Sequence, residues 1–207
     1  LKAYDLPHPE TRLARTSDEA VAAAKAMGFP VVLKIASPQI SHKSDVGGVK
    51  VNLRDEDAVR AAYLDITSRA ARMRTEAFIS GCLVQEMAPK GSREVIVGFK
   101  RDPQFGPLIL FGLGGIYVEV LKDVSFRLAP LSISDAQEMV REIKSFPLLR
   151  GVRGDKPVNF QAIEDVLLVM SQFALDFPEV YEAEFNPVLV SETQALVADV
   201  RVILAEH

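Results

Sequence analysis

Two polar pairs near the end of the chain have the residue types and spacing for chemistry: Glu184 and Asn186 in Glu-Phe-Asn-Pro, then Asp199 and Arg201 in Ala-Asp-Val-Arg. They lie in apolar segments separated by the polar stretch 191–194, which predicts a β-hairpin. In this hairpin Asn186 faces Asp199 and Glu184 faces Arg201, and all four share one face. An amide oxygen beside a carboxylate suits Mg²⁺ that carries a phosphorylated ligand. The alternative is a buried Glu–Arg pair with Asn186 closing a turn.

A lysine followed by a glycine-rich loop forms a second candidate site. Lys34 ends an apolar strand, and the loop 37–48 that follows contains Ser-His-Lys-Ser-Asp-Val-Gly-Gly. Hydroxyls, a second lysine and two glycines could close over phosphates, although the string is not a Walker A loop. The alternative is a surface lysine whose stem covers apolar residues.

His42 is the most reactive side chain of that loop. A neutral imidazole nitrogen can attack phosphorus or relay a proton near neutral pH. The alternative is an exposed histidine without a role.

A strand that turns polar at its end is a third candidate. The segment 84–87 reads Val-Gln-Glu-Met, and Glu94 follows it closely. Free backbone groups in such a hinge can bond an adenine edge, and a carboxylate can take ribose hydroxyls. The alternative is a strand-turn-strand with glutamates facing solvent. The glycines in 112–115 are not a dinucleotide fingerprint, because a further strand is predicted after them where that motif requires a helix.

The composition is that of an ordinary globular protein of 207 residues, with 48% hydrophobic and 25% charged residues. A net charge of −4 argues against nucleic-acid binding, which needs a basic face. No apolar run is long enough for a membrane span, and the first residues of the given sequence do not predict a signal peptide. The single cysteine, Cys82, cannot form an internal disulfide and is expected to be a buried thiol, which fits a reducing cytoplasm.

The elements that must position these residues alternate between groups of strands and helices. A capping box, Thr16 to Glu19, begins a helix that Gly28 stops, and Asp55 caps a second helix to about residue 72. Further helices are predicted from a cap at Ser134 with Gln137, and over 157–175. Predicted strands cover 29–35, 49–53, 78–87, 94–100, 107–113, 117–121 and 125–128. This order predicts an α+β fold with antiparallel neighbours and helices on one side of the sheets.

The candidate residues together resemble an ATP-grasp fold, and four strings narrow the resemblance. They are Ser-His-Lys-Ser-Asp-Val-Gly-Gly-Val (41–49), Lys-Arg-Asp-Pro-Gln-Phe-Gly-Pro (100–107), Phe-Gly-Leu-Gly-Gly-Ile-Tyr-Val-Glu (111–119) and Leu-Arg-Gly-Val-Arg-Gly (149–154). They are similar to the ATP-grasp domain of NDP-forming acyl-CoA synthetases, the ADP-forming acetyl-CoA synthetase family, which is related to the succinyl-CoA synthetase β subunit. The resemblance covers essentially the whole chain.

This resemblance implies two α+β subdomains with a nucleotide cleft between them. One subdomain would cover 17–87 with the loop 37–48 mobile, and the other 88–207 with the metal-site hairpin 181–204. The chain begins without methionine at what looks like a helix end, so a truncated N-terminus is expected.

The resemblance also implies residue roles. The nucleotide-binding residues are Lys34 for the phosphates, Gln85, Glu86, Met87 and Ala88 for adenine, Glu94 on the ribose side, and Gly114 and Gly115 lining the cleft. Arg127 is a further candidate phosphate contact.

Metal and catalytic roles follow in the same way. Asn186 and Asp199 would bind Mg²⁺. Glu184 matches a glutamate that orients an incoming phosphohistidine, and His42 matches a loop histidine that receives phosphate in the ADP-forming branch.

The implied activity is the phosphoryl-transfer part of an ADP-forming acid–CoA ligase, which exchanges phosphate between ATP or ADP and an enzyme phosphohistidine. The CoA-binding and ligase domains that carry the main catalytic histidine have no counterpart here, so a partner domain or α subunit is expected. The alternative is the regulatory synthetase-like region of a fused protein lysine acetyltransferase. A purely structural α+β domain would require every motif to be coincidental.

Overall fold

The computed structural model describes residues 1–115, 122–152 and 154–205. The chain divides into two compact units. One is Pro9–Met87, here called the N-terminal unit; the other is Leu1–His8 with Ala88–His207, here called the C-terminal unit. Within the described ranges, no helix combines the length and apolar composition that a membrane span requires.

The N-terminal unit is a four-stranded antiparallel sheet with two helices packed on one face. Its elements are β1 (Thr11–Ala14), α1 (Ser17–Met27), β2 (Val31–Ala36), a 3-10 turn (Lys43–Val46), β3 (Val49–Leu53), α2 (Glu56–Met73) and β4 (Gly81–Glu86). The strand order is β1-β4-β2-β3. Since alternate strand residues point to opposite faces, Val31, Leu33 and Ile35 of β2 pack with the helices, and the residues between them face away.

The two ends of the N-terminal unit lie on neighbouring strands. β1 pairs with β4 so that Thr11 lies opposite Gln85. The Glu86 amide donates a hydrogen bond to the Glu10 carbonyl at 3.0 Å. The chain therefore enters and leaves this unit side by side.

The helix starts of the N-terminal unit confirm the predicted caps. The Thr16 hydroxyl accepts a hydrogen bond from the Glu19 amide at 3.1 Å, and α1 ends at Gly28. The Asp55 carboxylate accepts a bond from the Ala58 amide at 2.8 Å. Each cap satisfies an amide that the first turn of a helix leaves unpaired.

Cys82 lies in the core of this unit and is fully buried. Burial raises the pKa of its thiol to about 12. The prediction of a buried thiol is confirmed, and the neutral thiol is a poor nucleophile.

The C-terminal unit is a larger antiparallel sheet, again with its long helices on one face. Its elements are β5 (Arg93–Asp102), β6 (Gly106–Leu113), β7 (Val124–Leu128), α3 (Ile133–Glu142), α4 (Phe146–Leu149), α5 (Phe160–Asp176), β8 (Val180–Val190), β9 (Ala195–Val197) and β10 (Val200–Leu204), with a short 3-10 turn at Lys2–Tyr4. The strand order is β10-β8-β5-β6-β7, and β9 also pairs with β8. Both α3 and α5 contribute to the core, so the predicted antiparallel order with one covered face is confirmed.

For the helices and strands, the predicted cap of α3 needs correction, two short elements were missed, and one predicted strand lies outside the described residues. The cap of α3 is Ser132, with Asp135 completing a capping box, and Ser134 lies within the helix. The short elements β1 and α4 were not predicted, because they have too few residues for a clear periodic pattern. The strand predicted over 117–121 lies outside the described residues.

Asp123, which immediately precedes β7, joins that strand to the helical layer. Its carboxylate is buried and accepts hydrogen bonds from the amides of Lys144 at 2.8 Å and Ser145 at 2.7 Å. Burial alone would raise the pKa of this carboxyl, but the hydrogen bonds from Ser145 and Lys144 outweigh burial and lower the pKa below its usual value. Asp123 therefore fixes the start of α4 only while it is ionised.

We predict that Asp123→Asn lowers the free energy of unfolding by about 1–3 kcal/mol, because an amide cannot accept both hydrogen bonds. The pKa of Asp123 is lowered on folding, so its contribution is present above the unfolded pKa and is lost as the pH falls through the folded pKa. Denaturant unfolding measures the free energy of unfolding of both proteins. The difference in this free energy between variant and wild type should shrink as the pH is lowered from 7 to about 3. Asp165→Asn, on the exposed side of α5, is the matched control. A difference that stays constant over this range would contradict the prediction.

Candidate functional site

The hairpin formed by β8 with β9 and β10 has the predicted register. Arg201 lies opposite Glu184, and Val200 lies opposite Phe185. The Asn186 amide donates a hydrogen bond to the Asp199 carbonyl at 3.2 Å. The pairing of Asn186 with Asp199 and of Glu184 with Arg201 is therefore confirmed.

A β-bulge sets the position of Asn186. Between β5 and β8, Val95 pairs with Val188 but Val97 pairs with Phe185, so Asn186 and Pro187 together lie opposite one residue, Ile96. Bulges of this kind bend a strand and re-aim a side chain, often beside an active site. Phe185 and Val188 are buried in the core, while Asn186 is exposed on the face away from the helices.

The side chains on this open face contact each other. The Asn186 side-chain amide donates to Glu184 Oε1 at 2.7 Å. Because that bond uses Nδ2, Asn186 Oδ1 lies on the side away from Glu184, as a metal ligand would require. Arg201 Nη1 is 3.9 Å from Glu184 Oε2 and 3.7 Å from Glu182 Oε1. These are long contacts between half-exposed groups, so a tightly paired Glu–Arg unit is not what organises the face.

The donor set of Asn186 and Asp199 fits Mg²⁺ that is brought in with a ligand. Within the described residues, no cluster of three or more His, Cys, Asp or Glu side chains could hold a metal ion. Mg²⁺ commonly takes one or two protein oxygens and completes its shell with water and substrate phosphates. A two-residue set fits that mode and does not fit a closed structural metal site.

Glu94 occupies the same open face as Glu184. Residues 94, 96 and 98 of β5 alternate with the core residues Val95 and Val97, and Gly98 lies directly opposite Glu184. Sequence analysis missed Gly98, although a glycine within a strand indicates a close approach of backbone. A Cβ at Gly98 would lie 2.8 Å from the Ala183 carbonyl oxygen.

The predicted glycine lining begins beside Glu94. The Gly114 amide donates to the Glu94 carbonyl at 2.7 Å. A Cβ on Gly114 would lie 3.0 Å from the Glu94 Cβ, so glycine permits this close packing. Gly115 is exposed with a φ of +64°.

In the N-terminal unit, Lys34 lies on the sheet face opposite the helices. It is only 7% exposed, although it is charged. Its cross-strand neighbour is Leu83, and Gln85, two residues along β4, is 5% exposed on the same face. The Gln85 amide donates to the Thr11 hydroxyl at 2.9 Å. A lysine this buried does not fit the surface-lysine alternative.

The hinge residues do not share one environment. Gln85 and Glu86 are part of β4, which pairs on both sides, with β1 and β2. The Glu86 carboxylate also accepts a hydrogen bond from the Glu10 amide at 3.4 Å. Met87 and Ala88 are the first residues beyond the strand, so the backbone groups that could meet an adenine edge are better sought there than at Gln85.

His42 is exposed and caps the 3-10 turn of residues 43–46. Its carbonyl accepts a hydrogen bond from the Asp45 amide at 3.3 Å. Two buried residues flank it, Ile40 at 5% and Val46 at 2% exposure. The loop is thus held at two points, and the imidazole projects from the segment between them.

Arg127 does not join the other candidates. It pairs with Glu142 of α3 at 2.9 Å and with Glu138 at 3.5 Å. Its neighbour across the sheet, Ile109, belongs to the helix-covered core. The suggestion that Arg127 contacts phosphate is therefore replaced by a role in attaching α3 to the sheet.

The chain matches a known protein family over nearly its whole length. The ATP-grasp domain family matches residues 1–204. The β subunit of ADP-forming acetate–CoA ligase I from Pyrococcus furiosus is 50% identical over 204 residues, which cover 99% of this chain and 88% of that subunit. The chain belongs to the ATP-grasp family of ADP-forming acetate–CoA ligases. The family resemblance and the α+β ATP-grasp fold are thereby confirmed.

Two further relatives extend the comparison of this ATP-grasp domain. ADP-forming acetate–CoA ligase I of Archaeoglobus fulgidus is 51% identical over 207 residues, which are 100% of this chain and 30% of that protein. The acetyl-CoA synthetase 1 of Candidatus Korarchaeum cryptofilum, solved with coenzyme A, Ca-AMPCP and HgCl⁺, superposes with a TM-score of 0.94 at 50% identity, covering 99% of this chain and 89% of that one.

A second structure of the Korarchaeum protein contains coenzyme A and Mg-AMPPCP, and its phosphohistidine segment points towards the nucleotide binding site. It superposes with a TM-score of 0.82 at 47% identity, covering 99% of this chain and 88% of that one. These relatives are ligases or synthetases, so they give the acetyltransferase alternative no support.

We predict that Arg201→Met changes the free energy of unfolding by less than about 1 kcal/mol, because a long contact between half-exposed charges contributes little. Methionine keeps most of the apolar stem, so the comparison isolates the charge. Denaturant unfolding is the measurement. Gly98→Ala is the contrasting variant and should lower the free energy of unfolding clearly, because its Cβ would collide with the Ala183 carbonyl oxygen. A loss above about 2 kcal/mol for Arg201→Met would restore the buried Glu–Arg pair as the organiser of this face.

Proposed function

We propose that this chain is the nucleotide-binding, phosphoryl-transfer part of an ADP-forming acid–CoA ligase of the acetyl-CoA synthetase type. It exchanges a phosphoryl group between ATP or ADP and an enzyme histidine. The observation that carries the proposal is the hairpin face, where Glu184, Asn186 and Asp199 stand together on a chain that belongs to this ligase family.

The nucleotide is bound by groups of matching chemistry. In the N-terminal unit, Lys34 neutralises phosphate charge. The chain just after β4, at Met87 and at Ala88, the first of residues 88–207 of the C-terminal unit, meets adenine beside Gln85 and Glu86. In the C-terminal unit, Glu94 takes ribose hydroxyls next to Gly114 and Gly115. Phosphoryl transfer needs charge neutralisation and in-line positioning more than covalent chemistry, and these groups supply both.

Asn186 and Asp199 would hold Mg²⁺ through side-chain oxygens. When bound, the metal neutralises negative charge on the phosphates and orients them. The neutral amide beside one carboxylate limits negative charge where the ligand brings its own phosphates. Glu184 keeps Asn186 oriented through the 2.7 Å hydrogen bond.

His42 is the phosphate acceptor on this chain. One neutral imidazole nitrogen attacks the γ-phosphorus of ATP, the bond from that phosphorus to the bridging oxygen breaks, and ADP leaves as the new phosphorus–nitrogen bond forms. The reverse reaction returns the group to ADP.

A partner supplies the remaining chemistry. We place CoA, the carboxylic acid and the main catalytic histidine on a ligase domain or α subunit, and Glu184 orients that histidine when it approaches. The Korarchaeum relative, whose phosphohistidine segment points towards its nucleotide site, supports this role. A cytoplasmic location is supported by the lone buried thiol of Cys82, which has no cysteine partner in the chain.

We predict that Asp199→Ala abolishes Mg²⁺-dependent nucleotide binding, since it removes the charged member of the metal set. Asn186→Ala should weaken binding by at least about tenfold, equivalent to about 1.4 kcal/mol. Titration calorimetry with Mg·ATP and with ATP in EDTA measures both variants. Asp165→Ala, an exposed carboxylate on α5, is the matched control. Undiminished Mg·ATP affinity in Asp199→Ala would exclude Asp199 as a ligand.

We predict that ³²P from γ-labelled ATP appears on His42 when the partner ligase domain is present. The label should be acid-labile and base-stable, as a phosphoramidate is, and peptide mapping should locate it. His42→Ala should lose the label, whereas His8→Ala, the matched control, should keep it. Normal phosphate passage in His42→Ala would remove this histidine from the mechanism.

A further inference from the structure

The turn that carries His42 lies directly against an arginine of α2. An ideal Cβ on Gly47 would lie 3.0 Å from Cδ, 3.3 Å from Nη1 and 3.4 Å from Nε of Arg69. Gly47 ends the 3-10 turn with a φ of +63°. The guanidinium group therefore covers the turn where any larger residue would have to displace it.

Arg69 is oriented by the carboxylate of Asp65, in an i,i+4 pair whose side chains are both half-exposed. Its Nη2 donates to both oxygens of Asp65, at 3.2 Å and 3.3 Å. Lys50, on β3, lies 3.0 Å from the same carboxylate. Nη2 is thus shared between the two carboxylate oxygens, which favours one orientation of the guanidinium although a second nitrogen does not join the contact.

Backbone hydrogen bonds close the turn itself and join it to β2. Within it, the Gly47 amide donates to the Ser44 carbonyl at 2.9 Å and the Gly48 amide donates to the Lys43 carbonyl at 2.8 Å. The Gly48 carbonyl then accepts from the Ile35 amide at 2.7 Å, which ties the turn to β2 beside Lys34. Arg69 contacts the same turn at Gly47.

Packing alone does not explain an arginine at this position. Arg69 Nε is buried and has no hydrogen-bond partner among the described residues. A buried unpaired N–H group costs stability, and an aliphatic side chain would cover Gly47 without that cost. The guanidinium offers a rigid, flat support that an aliphatic chain does not.

We propose that Arg69, oriented by Asp65, is a positioning residue for phosphoryl transfer at His42. This inference rests on the proposed function, in which His42 accepts the phosphoryl group. Arg69 holds the 3-10 turn in one place relative to β2, and His42, as the cap of that turn, is held with it. The role requires no contact between Arg69 and the nucleotide.

The test uses the complete ligase with its partner and compares Arg69→Ala with wild type. The rate of label transfer to His42 should fall about tenfold to a hundredfold, because a displacement of about 1 Å can cost about 10²-fold. Affinity for Mg·ATP should stay within about twofold, since no binding group is removed. Added guanidinium ion should restore part of the rate.

Matched variants separate positioning from general stability. Arg72→Ala removes an exposed arginine from the same helix and should transfer at the wild-type rate. Arg69→Lys keeps the charge but not the planar guanidinium and should be intermediate. Asp65→Asn should lower the rate in the same direction without changing Mg·ATP affinity, and it also serves as the test if Arg69→Ala does not fold.

The outcomes distinguish this inference from the proposed function. If His42→Ala loses the label but Arg69→Ala and Asp65→Asn transfer normally, the positioning role is overturned and the proposed function stands. A parallel loss of rate and Mg·ATP affinity in Arg69→Ala would also overturn it, by showing a general structural effect. If His42→Ala passes phosphate normally, both the role of His42 and that of Arg69 are overturned.

Discussion

The register of β8 between β5 and β10 is the constraint on which the proposed metal and catalytic residues of the hairpin depend. Antiparallel pairing with β10 sets Asn186 beside Asp199 and Glu184 beside Arg201. Pairing with β5 adds the bulge at Asn186 and Pro187. A slip of one residue would turn the polar set into the core and the core residues into solvent, so the buried face of the sheet enforces the arrangement of the open one. The hydrophobic core under α5 therefore stabilises the fold and also determines which side chains lie on the open face.

Both units follow the same plan, in which helices cover one face of an antiparallel sheet and the candidate site residues stand on the other. Lys34 alternates with Leu33 and Ile35 in the N-terminal unit, just as Glu184 alternates with Ala183 and Phe185 in the C-terminal unit. Period-two alternation therefore separates stability from chemistry along a single strand. The His42 turn departs from this plan, because a loop has no sheet to orient it. Buried anchors and the contact with Arg69 take over that task.

Local signals predicted much of this architecture. The polar break at 191–194 was sufficient for the hairpin register, and the caps at Thr16 and Asp55 are formed by short-range hydrogen bonds that the sequence encodes directly. Features that depend on distant partners were not predictable in this way. The bulge at Asn186 requires the pairing with β5, and the burial of Lys34 depends on groups far away in sequence. Ser132 and Ser134 both offer a capping pattern, and only the completed box with Asp135 decides between them. The residue roles came from the family resemblance, which periodicity could not have supplied.

The pairing of β1 with β4 has a consequence for the chain as a whole. Residues 9–87 interrupt the sequence of the C-terminal unit. Because Thr11 pairs with Gln85, the two ends of this inserted segment lie next to each other. The N-terminal unit is therefore an insertion whose two ends are adjacent. Units of this kind tolerate excision, transplantation and circular permutation. Residues 9–87 therefore carry both Lys34 and the His42 turn within one inserted unit.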